Sequence, residues 1–361
     1  MTRAVSISLD QFFRPQPGGI ATYVRGLVRG LDSLNDESLR LVGITPRGNP
    51  TQDISDLALE RVNANASINV LTRLWARRSV GVPAFSDVVH ATSLAGPFGG
   101  GKKDAVHSAA LHDLLWRDEP SASTPHGIRF HEGRLQMLKR RDDVRIISTA
   151  PGLAQRLIDD GFDPGRVHDS RLGVDDELTV PDSEAQVRAA LVERGVEGPF
   201  TLYVGTREPR KNLERLAKAH ALASSTNRDL GPLVVVGPSG WGDDVERPNA
   251  VALGLVSGSL LKGLYRDASI VAYVPRAEGW GLPPVEALHA GARVVASVTT
   301  PSVASNSEVV RVDPLDVEAI AEGLVQALSQ SDDEDARQRR RASVASLTWR
   351  NAALDHLAAW R

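Results

Sequence analysis

Short apolar runs rich in β-branched residues recur along the first half of the chain: AVSISL from residue 4, LRLVGIT from 39, DVVHAT from 87 and VRIIST from 144. Helical patterns separate them. A strand covered on both faces reads as a nearly continuous apolar run, so this rhythm predicts a parallel sheet wound with helices on either side. A second series follows: TLYVG from 201, PLVVVG from 232, SIVAYVP from 269, ARVVAS from 292 and EVVRVDP from 308. The pattern therefore predicts two α/β units.

Between the two series the strand pattern fails over SRLGVDDELTVPDSEAQVRAAL, where Pro181 precedes a helix expected to start near Ser183. A linker at about 175–182 is expected there. After the charged run DDEDARQRRR, the segment LTWRNAALDHLAAWR has apolar residues at helical spacing, which predicts a final helix packed apart from the second strand series. The expected division is 1–178, 179–345 and a terminal helix at 346–361 that returns to the first domain.

Length and composition narrow the class. At 361 residues the chain exceeds what a single core usually holds, which agrees with two domains. A net charge of -3 gives no electrostatic footprint for duplex nucleic acid. Cysteine is absent, which excludes disulfides, thiolate catalysis and cysteine-ligated zinc. The opening MTRAVSISLDQFFRP lacks an apolar signal core, and no run approaches the ~18 apolar residues of a membrane span. A cytoplasmic protein is expected, touching a membrane at most peripherally, at its inner face.

Two stretches carry candidate chemistry. In RAEGWGLPPVEALHAGARVVAS (276–297) a strand ends in a loop with Gly279, Trp280 and Gly281, and a short helix begins at Leu282 with Pro283 and Pro284 in its first turn. Free backbone N–H groups of Gly281, Leu282 and Val285 at a helix amino terminus suit an anion, and the small glycines allow close approach. Glu278 and Glu286 would repel a phosphate but accept hydrogen bonds from hydroxyls beside it, as a sugar and a ribose would provide. A capped, glycine-rich turn with two solvated glutamates is the alternative.

Upstream, LYVGTREPRKNLERLAKAHAL places Gly205, Arg207, Arg210 and Lys211 at a strand's carboxyl end before a helix, the position where open α/β sheets bind ligands. Asn212 is a candidate cap for that helix, and Glu208 a candidate partner for a neighbouring arginine. A charged surface loop is the plain alternative; with the anion site downstream, the pair reads as a diphosphate clamp. Two other features are discounted: TRLWARRSVG as solvated arginines over a packed Trp75, and GPFGGGKKDAV as a flexible connection.

GTREPRKN, VVVGPSGWG, GLVSGSLLKGLYRDASIVAYVPRAEGWGLPPVEALHAGARVVAS and VDPLDVEAIAEGL resemble the carboxyl-terminal donor domain of the family-four retaining glycosyltransferases of GT-B fold. The resemblance covers about 200–328 and includes the Glu-x7-Glu motif as Glu278 and Glu286. Weaker resemblance in PGGIATYVRGLVRGL, DVVHAT, ALHDLLW and STAPGLAQRL extends it over most of the chain. It implies an α/β protein of two facing Rossmann-like domains with a deep cleft between them, the first holding the acceptor and the second the nucleotide sugar.

The resemblance further implies that Gly18 and Gly19 approach the donor phosphates and that His112 lies near the transferred sugar. Glu278 would hold hydroxyls of that sugar, Glu286 those of the ribose, and Arg210 and Lys211 the diphosphate. Read alone, Gly18-Gly19 is a turn before a helix, and a histidine beside Asp113 at a strand end is a hydrogen-bonded structural residue. The chain departs from the family in TTPSVASNSEVVRVDP, which lacks the usual Pro-Glu pair, and in Thr206, which stands where a basic residue is common.

No cofactor is expected, and with no Asp-x-Asp at a strand end, no metal. The expected partners are a nucleotide diphosphate sugar, with GDP-mannose favoured over a UDP- or dTDP-sugar, and a glycan, lipid-linked or small-molecule acceptor. A nucleotide-sugar 2-epimerase and a non-catalytic nucleotide-sugar-binding subunit are the other readings. No Gly-x-Gly-x-x-Gly follows the first strand, which disfavours a dinucleotide dehydrogenase.

Overall fold

The computed structural model describes residues 2–15, 18–174, 181–238 and 250–361. The chain divides into two compact units, Met1–Gly173 with Leu347–Arg361, and Val174–Ser346. The expected linker at 175–182 and the boundary at 178 fall largely on 175–180, outside the described residues.

The first unit is built on β1 (Arg3–Ser8), β2 (Leu39–Thr45), β3 (Glu60–Asn63), β4 (Val88–Ala91), β5 (Val106–Leu111), β6 (Val144–Ser148) and β7 (Val167–Asp169). They form one sheet in the order β3-β2-β1-β4-β5-β6-β7, and every pairing is parallel. The second holds β8 (Thr201–Val204), β9 (Leu233–Val236), β10 (Ala250–Gly254), β11 (Ile270–Tyr273), β12 (Val294–Ser297) and β13 (Val309–Val312), in the parallel order β10-β9-β8-β11-β12-β13. β9, β11 and β12 are buried along their whole length, as their uninterrupted apolar sequences require.

Helices on both faces supply the rest of each core. In the second unit Leu216, Leu233, Ile270, Ile320 and Leu324 are fully buried in one cluster, each contributing roughly 1.5–3 kcal/mol relative to an exposed side chain. The helix Glu184–Val192 opens that unit on a capping box, in which the Ser183 hydroxyl accepts from the Gln186 amide and the Gln186 side chain reaches back to Ser183.

The terminal helix Trp349–Ala359 belongs to the first unit and packs on the helix Gly18–Asp32. Glycines make that crossing close. A Cβ at Gly26 would lie 2.0 Å from the Trp349 ring, and one at Gly30 2.1 Å from the Trp349 carbonyl oxygen. Arg3 and Arg145 donate to the carbonyls of Trp360 and Ala359 at the helix's carboxyl end, where backbone acceptors lack intrahelical partners.

Buried hydrogen bonds then lock this helix to the sheet, and their direction is fixed by chemistry. The Trp360 indole can only donate, and gives to Ser108 Oγ (2.8 Å). Ser108 passes its own proton to His90 Nδ1 (2.8 Å), so the His90 proton sits on Nε2 and points to the Tyr23 hydroxyl (2.7 Å). Tyr23 donates to His356 Nε2 (2.7 Å), and His356 Nδ1–H ends on the Ala352 carbonyl (2.7 Å). Tyr23, His90 and His356 are all fully buried. Burial holds His356 down at about 4 and His90 well below its ordinary value, so both imidazoles are neutral, as the chain demands.

Candidate functional site

In the second unit the strand order reverses between β8 and β11, and ligands of open α/β sheets bind outside the carboxyl ends of the strands at such a point. β8 leads through Gly205 into a 3-10 turn, Pro209–Lys211, while β11 leads through Pro275 to Glu278. The Arg276 amide donates to the Arg210 carbonyl (2.8 Å) and ties the two loops together. Asn212 reinforces the junction instead of capping the next helix as expected. Its Nδ2 donates to the carbonyls of Val274 (2.9 Å) and Pro314 (2.7 Å), and its Oδ1, the atom a cap would use, accepts from Arg215 Nη1 (3.0 Å) and makes no cap bond.

Glu278 is the hub of the junction. Its Oε2 accepts from Lys211 Nζ (2.5 Å), the Tyr273 hydroxyl (2.5 Å) and Arg210 Nη1 (3.3 Å), and its Oε1 accepts from the Gly279 amide (3.1 Å). Lys211 Nζ also donates to the Tyr273 oxygen (2.6 Å). Arg210 divides its donors further, to the Ala277 carbonyl (2.8 Å) and Glu208 Oε1 (3.2 Å). The Glu208 pairing expected from sequence is thus present.

Glu278, Lys211 and Arg210 side chains are only 11, 13 and 14% exposed, so their charges act through little water. Burial pushes the Glu278 carboxyl up, but the Lys211 and Arg210 charges and the hydrogen bonds prevail and hold it at about 2. Burial, then the Glu278 charge, push the Tyr273 phenol well above its ordinary range. Two cations face two carboxylates, a formally neutral cluster whose bonds can be divided anew when an anion arrives.

Glu286 lies on the helix Leu282–His289, where its Oε2 accepts from the buried Tyr265 hydroxyl (2.7 Å). Gly281 heads that helix with φ +92, and a Cβ there would lie 2.6 Å from Thr300 Cγ2, so conformation and space both require glycine. Ser302 fixes the loop, its amide donating to the Trp280 carbonyl (3.0 Å) and its hydroxyl to that of Gly281 (2.7 Å). The segment that departs from the family pattern therefore buttresses Trp280 and Gly281. Trp280 is 5% exposed, and its indole N–H has no partner among the described residues.

The first unit reverses its strand order between β1 and β4. There Ser8 Oγ lies 2.9 Å from Thr92 Oγ1 and accepts from the Thr92 amide (3.0 Å). His112, half-buried at the end of β5, points Nε2 at the Thr92 carbonyl (2.9 Å), so that nitrogen carries the proton; Nδ1 accepts from Thr149 Oγ1 (3.0 Å). Both ring nitrogens are committed within the unit, the geometry of a hydrogen-bonded structural histidine. Reaching a sugar would mean exchanging one of these bonds.

Gly18 opens its helix at φ +59, whereas a Cβ at Gly19 would meet nothing, so local packing does not demand glycine there. Trp75 is packed as expected, and Arg73, Arg77 and Arg78 are exposed. The glycine-rich segment at 96–101 is packed, contrary to expectation. Phe98 is 3% exposed and its carbonyl accepts from Arg141 (2.8 Å), because its small residues fit against Ala91, Ser79 and Ser86.

Residues 192–344 match the model of the family described as glycosyl transferases group 1. Over that stretch the second unit is similar to a group 1 glycosyltransferase. All residues of the Glu278 cluster and Glu286 lie inside this glycosyltransferase match. The chain is similar to the O-antigen chain mannosyltransferase B of Escherichia coli, 36% identical over 175 residues, 45% of this chain and 45% of that protein. It is also similar to the serotype-specific mannosyltransferase WbdA of Escherichia coli, 27% identical over 266 residues, 68% of this chain and 32% of that protein. The matched stretch spans less than half the length of either curated relative. Among solved structures, Anabaena Alr3699/HepE, in complex with UDP and glucose, superposes with a TM-score of 0.72 at 13% identity, covering 99% of this chain and 98% of that one. At that identity the likeness shows the fold, that of the two-unit GT-B proteins. Among the described residues no helix is long and apolar enough to cross a membrane.

Sequence reasoning reached Arg210, Lys211, Glu278 and Glu286 but missed the two tyrosines that orient the glutamates. Tyr273 gave a usable signal, a polar-tipped aromatic closing an otherwise apolar strand. Tyr265 gave none, because its partner is 21 residues away.

Proposed function

We propose that the protein is a retaining, metal-independent hexosyltransferase that moves mannose from GDP-mannose to a glycan or lipid-linked acceptor. The observation that carries this reading is the Lys211–Glu278–Arg210 cluster at the β8–β11 switch point, where two nearly buried cations stand beside a carboxylate. As the bond to the sugar breaks, negative charge grows on the departing diphosphate, and cations already in place lower the barrier. Lys211 supplies a point charge and Arg210 a planar fork. The helix amino terminus after Gly281 adds backbone dipoles.

Glu278 then serves the hydroxyls of the transferred sugar, and Glu286, oriented by Tyr265, those of the ribose. The cations and the helix dipole take the place of a divalent ion. The acidic run near 332 is otherwise engaged, Asp332 with Arg337 (2.7 Å) and Arg340 (2.9 Å), and Asp333 as a helix cap. Mannose is favoured because both curated relatives named above are mannosyltransferases.

A thermal-shift panel of GDP, UDP and dTDP with their sugars tests the donor. A ligand at 100 times its dissociation constant adds about 2.7 kcal/mol of stability. GDP and GDP-mannose should give the largest shifts, and no shift from any nucleotide would overturn the reading. Transfer should persist in EDTA; loss of turnover that manganese or magnesium restores would refute metal independence.

A further inference from the structure

Tyr273 closes β11 with its side chain 1% exposed and its ring beneath Lys211, whose ammonium lies 5.1 Å from the ring centroid. The hydrogen bonds at its hydroxyl have one possible direction. An ammonium only donates and a carboxylate only accepts, so Lys211 gives a proton to the Tyr273 oxygen, and Tyr273 gives its own to Glu278 Oε2. The phenol is therefore a bridge between cation and acid, buried at a strand end.

A bridge matters because Lys211 has two employers. Its ammonium satisfies Glu278 in this structure, and the same ammonium must face the diphosphate during transfer. Glu278 then loses its nearest cation while remaining nearly buried, and an unpartnered buried carboxylate is strongly disfavoured. Arg210 compensates only in part, since it is shared with Glu208 and the Ala277 carbonyl and stands 3.3 Å from Glu278. The Gly279 amide stays on Oε1, and the Tyr273 hydroxyl, at 2.5 Å and without charge, is the neutral donor that can stay on Oε2, the oxygen Lys211 leaves.

We propose that Tyr273 is a positioning residue of the donor site: its hydroxyl keeps Glu278 oriented and ionised when the Lys211 ammonium turns from that carboxylate to the diphosphate. The proposal rests on reading the cluster as a donor site. Tyr273 touches neither nucleotide nor sugar; it acts through Glu278, and its effect belongs to the transfer step more than to nucleotide binding.

The test is a double-mutant cycle read by steady-state kinetics with GDP-mannose and by GDP titration, with melting temperatures measured in parallel. Tyr273→Phe keeps the ring and removes only the hydroxyl. It should lower kcat about 10- to 100-fold, the scale of a misplaced reacting group, while the GDP dissociation constant changes less than about threefold. In a Glu278→Gln background the same substitution should cost kcat little more. A wild-type kcat for Tyr273→Phe, an equal loss in both backgrounds, or a loss confined to GDP affinity would each overturn the proposal.

Should Tyr273→Phe fail to fold, 3,5-difluorotyrosine at position 273 replaces it. It retains both bonds with a more acidic hydroxyl, and should alter kcat only when Glu278 is present; an equal change without Glu278 refutes the proposal. If Lys211→Ala transfers sugar at near the wild-type rate, the donor-site reading has failed instead, which separates the two outcomes.

Discussion

The two units share a parallel sheet whose order reverses near its middle, yet they fill the reversal point in opposite ways. In the second unit it holds Arg210, Lys211, Glu208 and Glu278, full charges that balance one another across two loops. In the first it holds Ser8, Thr92 and His112, neutral groups whose hydrogen bonds are spent on one another. Topology thus decides where a ligand can reach the backbone, and side chains decide whether anything remains to bind it. Charges that compensate can be shared anew with a further anion, provided each buried group keeps a partner. Neutral groups saturated in both directions resist exchange and serve rigidity.

Lys211→Ala tests that contrast with the largest expected effect. It should lower kcat by a factor on the order of 100 or more, about 3 kcal/mol, with a smaller rise in the Michaelis constant for the donor. Arg210→Lys should also be costly, because the planar fork is lost although the charge remains. Near wild-type transfer by Lys211→Ala at an unchanged melting temperature would make the cluster a surface ion pair and erase the contrast.

Acid should separate the units next. His356, held at about 4 against an ordinary 6.5, stays neutral in the fold while the unfolded chain takes up a proton. Its contribution is present above pH 6.5 and lost as pH falls toward 4, roughly 2–3 kcal/mol by pH 4.5. His90 is depressed in the same direction and adds to the loss. Glu278, held at about 2 against 4.5, contributes stability above pH 4.5 that fades only between 4.5 and 2. Hydrogen exchange at pH 7, 5.5 and 4.5 should show protection falling first around the terminal helix. Loss beginning at the Glu278 loops would reverse the comparison, and His356→Gln should flatten the slope by about one proton.

Two smaller effects sharpen it. Gly30→Ala drives a methyl into the Trp349 backbone and should cost about 1–3 kcal/mol in urea denaturation without touching nucleotide affinity; a neutral result would mean that the helices separate freely. Tyr265→Phe releases one oxygen of Glu286 and should weaken GDP binding only about fivefold, near 1 kcal/mol, by calorimetry. An unchanged affinity would remove Glu286 from the nucleotide site.

Both sheets were legible because β9 and β11 are apolar without interruption and β1, β2, β4 and β6 are rich in β-branched residues despite Ser6, Ser8 and His90. The edges were not: ERVN of β3 and VHD of β7 are short, partly exposed and carry no apolar run, while AVALG of β10 is apolar but lies on an edge, nowhere fully buried, and does not stand out as a strand. β5 was half hidden, because His107 and Ser108 break its pattern and Ser108 works in the buried relay. Within the site, charge and loop position disclosed the cations and glutamates. Of the tyrosines beneath them, Tyr273 at the end of its strand passed for core although its polar tip was a usable signal, and Tyr265, on the helix Gly258–Asp267, gave none. The relay through Tyr23, His90 and His356 joins residues up to 333 positions apart, beyond any local spacing.

Because Leu347–Arg361 completes the first unit while Val174–Ser346 forms the second, the order of completion runs against the order of synthesis. The ribosome delivers β1 to β7 early, yet Trp349 cannot fill the space over Gly26 and Gly30, nor His356 and Trp360 close on Tyr23 and Ser108, until the whole second unit has been made. At ordinary elongation rates that is a wait on the order of ten to thirty seconds. The nascent first unit spends that interval with the face of Gly18–Asp32 uncovered, a standing opportunity for chaperones, while the second unit, unbroken in sequence, is free to fold to completion first.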